Sequence, residues 1–152
     1  MKHHFKTIVL LAASLLFGFF IGAYGLDYYE SVTFKPWSWS SPPVIVNCYG
    51  PELSSAYLTR GVDYWAIRGE STSFIEAKIV KSVCDKEDVA GFIIMRKARV
   101  GQLSSSTLAI TIRKTSVMSG MVSATIYFKP GSYKLAHIIE HELGHAFGYT
   151  HV

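Results

Sequence analysis

The chain has 152 residues, 49% hydrophobic and 14% aromatic, which suits a single globular domain with a real core and excludes a disordered chain. Its net charge of +4 comes partly from Lys2 and Lys6. There is no Lys/Arg run and no glycine-rich phosphate loop, and this argues against a nucleic-acid partner.

Residues 1–25 read as a targeting segment. Lys2 and Lys6 precede an apolar run from Ile8 to Ala23, and Ala23-Tyr24-Gly25 offers small residues for a signal peptidase. The run suits either a cleaved signal or a retained membrane anchor. Both put the rest of the chain outside the membrane, so the expected location is secreted, periplasmic or anchored with the domain outside. Residues 26–43 read as a linker, in which Trp37 and Trp39 either cover part of the core or sit in an interfacial belt.

Residues 44–152 form the expected domain. Val44–Cys48 reads as a buried first strand, and Pro51 is placed to open a helix running to about Arg68. Its stripe is Leu53, Tyr57, Gly61 and Trp65, with Leu58 and Val62 beside it. Glu76–Val83 alternates as a second strand. Asp85–Asp88 is an acidic turn whose side chains are too few for a calcium loop. Gly91–Met95 is a third strand, Thr107–Arg113 a half-exposed fourth, and Met121–Phe128 a fifth. Ser132 is then a candidate N-cap for a final helix starting near Tyr133. The order predicts an α/β (α+β) fold, a twisted five-stranded mixed sheet carrying two helices. Cys48 and Cys84 end the first two strands. In an exported chain an even pair predicts a disulfide, the alternative being two buried thiols.

The final stretch carries the chemistry. His141-Glu142-Leu-Gly-His145-Ala-Phe-Gly148-Tyr-Thr-His151 reads HExxHxxGxxH. Residues four apart share a helix face, so His141 and His145 can aim at one ion, with Glu142 about 100° further round as a general base. Gly148 can adopt the left-handed conformation that ends a helix, which would return His151 as third ligand. Three protein ligands with one open position is the pattern of a catalytic zinc. Leu135, Ala136, Ile139, Leu143, Ala146 and Phe147 form the expected packing face. An inverted motif, His137-Ile-Ile-Glu140-His141, overlaps this one, but no acid follows Glu142 to complete it. His137 is then a polar residue one turn below the ligands.

These residues resemble the metzincin zinc endopeptidases, most of all the matrixins. The resemblance implies that His141, His145 and His151 bind one zinc ion, that Glu142 is the catalytic base and that Gly148 is the turn glycine. It implies the fold of the metzincin N-terminal subdomain and hydrolysis of a peptide or protein substrate. It also implies an antiparallel edge strand along which substrate lies, here Ser106 to Arg113, with Thr107, Leu108, Ala109, Ile110 and Thr111 as the candidate contacts. The family continues past its third histidine into a subdomain with a methionine turn, whereas only Val152 follows His151 here. That departure keeps a second expectation open, an exported zinc-binding module without proteolytic activity. It also predicts a frayed, loosely held His151, with the Val152 carboxylate near the open position.

Overall fold

The computed structural model describes residues 32–74 and 81–151. The leader at 1–25, most of the expected second strand and Val152 lie outside the described residues. The elements are β1 (Val32–Phe34), β2 (Val44–Asn47), α1 (Ser55–Ala66), β3 (Ser73–Phe74), α2 (Lys81–Cys84), β4 (Phe92–Lys97), β5 (Ala109–Ser116), β6 (Gly120–Phe128), a 3-10 turn (Ser132–Lys134), α3 (Ile138–Ala146) and β7 (Thr150–His151).

The fold is α+β, built on a mixed sheet. Strands β2, β4, β6 and β5 lie side by side in that order, and the two-residue β3 adds to the outer side of β2. All pairs are parallel except β5, which runs antiparallel to β6 and forms the free edge. Strands β2 and β4 are covered on both faces, which is why their sequences are continuous apolar runs rather than alternations. On one face Ile45, Ile93, Met95, Ile126 and Phe128 meet α1 and α3. On the other, Val46 and Ile94 meet Val83 of α2. The edge strand alternates, with Ala109, Thr111 and Arg113 half-buried and Ile110 and Ile112 exposed.

Where the expected second strand should end, Lys81–Cys84 is helical. One turn of helix drops Val83 onto Val46 and Ile94 and brings Cys84 to Cys48. The two cysteines are disulfide-bonded with Cα atoms 5.5 Å apart. Closing 36 residues of chain in this way stabilises by about 4 kcal/mol in the loop-entropy account.

Both long helices start later than the sequence suggests. α1 begins at Ser55, with Pro51 and Glu52 in the turn before it, and buries Leu58, Gly61 and Trp65. α3 begins only at Ile138, behind His137, which takes a left-handed φ of 66°. Ser132 does not cap it. The Ser132 hydroxyl faces the carbonyls of Leu108 at 2.8 Å and Lys129 at 2.9 Å, tying the turn to the sheet instead. Leu135 and Ala136 are therefore exposed rather than part of the packing face. At nine residues α3 is too short to persist alone. It is held by burying Ile138, Ile139, Leu143, Ala146 and Phe147, each large side chain contributing about 1.5–3 kcal/mol. Gly61 lets α1 close on it, since a Cβ there would lie 2.7 Å from Ile139 and 2.8 Å from Leu143.

Residues 32–43 lie along the domain, and Trp39 covers part of the core as one of the two expectations had it. β1 pairs antiparallel with β7, Ser38 accepts a hydrogen bond from the Met121 N–H at 2.9 Å, and Trp39 packs on the core.

Candidate metal centre

His141 and His145 lie one turn apart on the face of α3 opposite Ile139 and Leu143, with their Nε2 atoms 3.2 Å apart. After Ala146 the chain reverses at Gly148, whose φ is +105°. A Cβ at that position would run into the Trp37 carbonyl, with its carbon only 2.9 Å away, so glycine is required for conformation and for space. The reversal delivers His151, whose ring centre lies 5.1 Å from that of His141 and 4.7 Å from that of His145. One ring nitrogen of each histidine lies within 4.8 Å of the others. Among the described residues this is the group of His, Cys, Asp or Glu able to hold a metal ion.

The donor set fits zinc. Tetrahedral bonds of about 2.0–2.1 Å separate ligand nitrogens by about 3.4 Å, close to the His141–His145 spacing. His151, an exposed residue, completes the group within the 4.8 Å limit. The Tyr149 carbonyl lies 3.1 Å from His145 Nδ1, and a carbonyl only accepts. Nδ1 therefore carries the hydrogen, and the Nε2 lone pair faces the group of three. Burial, followed by the neighbouring His145, His151 and His137, pushes His141 down to about 4. Burial also lowers His145, against the Tyr149 carbonyl, which raises it. Both rings are thus neutral at pH 7, the form that binds a metal.

The third histidine is fastened by contacts that its spacing did not reveal. Arg113 Nη1 donates to the same Tyr149 carbonyl at 2.9 Å, and its guanidinium lies 5.1 Å from the centre of the Trp37 ring. The Tyr149 hydroxyl donates to Glu70 at 2.9 Å, and Glu70 also pairs with Lys35. Burial and the Glu70 bond push that hydroxyl up to about 12, so it stays a donor. Trp39 Nε1 donates to the last helical carbonyl, that of Ala146, at 3.0 Å. With β1 paired along Thr150 and His151, the expected fraying is corrected: the end of the described chain is held as a strand.

Glu142 is buried beside this group, and its Oε2 accepts from the Thr111 hydroxyl at 2.5 Å. Burial raises its pKa, and the Thr111 bond works against that rise. Glu140 faces the other way. Its buried carboxylate takes Arg60 Nε of α1 at 2.7 Å, and Trp65 Nε1 holds its carbonyl at 2.6 Å. The inverted motif therefore has its acid turned away from the three rings, and His137 is outside the three-nitrogen group.

A cleft of about 460 Å³ opens over the histidines. Its opposite wall is the stretch from Ser106 to Thr111 together with Arg113, which brings Thr107, Leu108, Ala109, Ile110 and Thr111 alongside His141, Glu142, His145 and His151. Thr107 and Leu108 precede β5, and the Leu108 carbonyl is already occupied by the Lys129 N–H at 2.9 Å. Sequence reasoning missed Thr111 as the partner of Glu142, and it missed Arg113, Glu70 and Tyr149. The polar alternation of Thr111 and Arg113 on the half-buried face of β5 was the available signal. Set against protein-family models, curated proteins and solved structures, the chain matches none of them.

Proposed function

We propose that the chain is a zinc-dependent endopeptidase of metzincin type, most like the matrixins. The observation that carries this reading is the meeting of three histidine nitrogens with a buried Glu142 carboxylate in one cleft along a free sheet edge. His141, His145 and His151 would hold the ion. When bound, zinc supplies a Lewis acid for the scissile carbonyl and brings the pKa of its water to about 7. Glu142 takes a proton from the attacking water and hands it to the leaving amine nitrogen as the C–N bond breaks. Burial raises its pKa above the ordinary carboxylate value, which makes it a stronger base for the proton it must accept and return.

The substrate wall follows from the ladder. Because the Leu108 carbonyl faces β6, a period of two leaves the backbone groups of Ala109 and Thr111 on the open edge. An extended peptide would add there as a further strand, antiparallel or parallel, beside the three histidines. The leader-like residues 1–25 and the Cys48–Cys84 disulfide both suit an exported protein, secreted or anchored with the domain outside.

Metal analysis combined with casein cleavage tests the reading. One zinc per chain is expected, with cleavage that Glu142→Ala abolishes while zinc content stays near one. Zinc without cleavage in the parent would make the chain a binding module, and a chain that takes up no zinc would end both readings.

A further inference from the structure

We propose that Thr111 is a positioning residue that fixes which oxygen of Glu142 works on the substrate, and so ties the base to the strand on which the peptide is laid. The proposal rests on the endopeptidase reading above. Thr111 Oγ1 lies 2.5 Å from Glu142 Oε2 and 3.1 Å from the Glu142 backbone carbonyl. A hydroxyl has one hydrogen and can accept as well as donate. With Glu142 ionised, that hydrogen goes to Oε2, where the acceptor is charged and the bond short. The other oxygen, Oε1, is then the one left for the cleft.

Because Oε1 is the oxygen that exchanges a proton with the cleft, Oε2 stays an acceptor for the Thr111 hydroxyl throughout, and the carboxyl need not swing. The Glu142 backbone carbonyl, 3.1 Å from the same hydroxyl, keeps Thr111 against this residue. Thr111 is also part of the cleft wall, and its backbone groups lie on the open edge of β5. One residue therefore sets both the register of an added peptide strand and the aim of the base. Small misplacements of this kind are costly, since an error of about 1 Å is worth on the order of 100-fold in rate.

The test compares Thr111→Val, which keeps the shape and removes the hydroxyl, with Thr111→Ser, which restores it. Both are zinc-loaded and assayed on casein and on a peptide derived from it. In parallel, the Glu142 carboxyl carbon signal is recorded by NMR at fixed pH on zinc-free protein. The expected result is a kcat roughly 10- to 100-fold lower for Thr111→Val, with KM within about twofold, zinc content unchanged and the carboxyl signal displaced. Thr111→Ser should return kcat and the signal to near the parent. A Thr111→Val protein that turns over like the parent overturns the proposal, as does a Thr111→Ser protein as impaired as the valine variant. If the parent itself cleaves nothing, the endopeptidase reading fails. The carboxyl signal then decides the hydroxyl link separately: displaced by valine and restored by serine it stands, unmoved it falls.

Discussion

Substituting Gly148 by alanine probes the joint on which the candidate metal centre turns. The φ of +105° is foreign to L residues with a side chain, and left-handed backbone costs about 1–2 kcal/mol. The new Cβ also meets the Trp37 carbonyl, with its carbon at 2.9 Å, and such overpacking typically adds 1–3 kcal/mol. The obstacle is backbone, so no flexible side chain can swing away. Either residues 148–151 or the segment around Trp37 must move. That strain, about 2–5 kcal/mol in all, bears on the conformation in which His151 faces His141 and His145. At 1.4 kcal/mol per tenfold, zinc affinity should fall by roughly 30-fold or more. The nearest atoms to the new Cβ belong to Trp37 and Met121 rather than to Leu58, Ile93, Ile126 or Phe128 of the core, so the helical circular dichroism should persist. Competition with a chromophoric chelator measures the affinity. Gly101→Ala is the control, since its φ is +79° with nothing within 4 Å and it lies outside the cleft wall. A Gly148→Ala protein that binds zinc within twofold of the parent would refute both the strain and the Trp37 contact as determinants.

Glu140→Gln should leave zinc content at the parent value while removing the charge of a buried carboxylate paired with the half-exposed Arg60, destabilising by about 1–2 kcal/mol. Thermal melting should show this as a Tm lower by roughly 2–8 °C, and loss of cleavage at unchanged zinc content and stability would revive the inverted motif, in which Glu140 would be the base. The zinc-free protein should lose stability as the pH falls from about 6.5 toward 4. His141, at about 4, and His145 and His137, also lowered, bind fewer protons folded than unfolded in that window, so acid favours the unfolded chain. Glu142 acts in the opposite sense above pH 4.5, because its raised pKa lets the folded carboxyl keep its proton longer. Melting in the presence of a chelator at pH 7 and pH 5 decides the balance. A higher Tm at pH 5 would mean that the histidines are not the dominant group.

The features legible in the sequence are those whose cause is local. A spacing of four residues places His141 and His145 on one helix face whatever surrounds them, and Gly148 advertises its own reversal. The buried runs of β2 and β4 read correctly because burial on both faces leaves only apolar residues to be seen. Ser132 misled because its hydroxyl, a good cap in isolation, found carbonyls on the sheet. Lys81–Cys84 misled because Val83 and Cys84 answer to partners on the far side of β2 and β4 rather than to an alternating strand.

The same distinction divides the candidate metal centre. Two of its three rings are positioned by one helical turn, but His151 depends on pairings that span most of the chain: Val32 with His151, Glu70 with Tyr149, Trp37 against Gly148, Arg113 with the Tyr149 carbonyl. None has a sequence signature, because each contact is made by an ordinary residue whose partner lies at least 36 positions away. Thr111 belongs with them, reaching Glu142 across 31 positions. Spacing thus decides where three imidazoles can meet, and residues 32–39 with β5 decide whether they stay met. Substitutions in those two segments should therefore weaken the centre while leaving every residue of its motif intact.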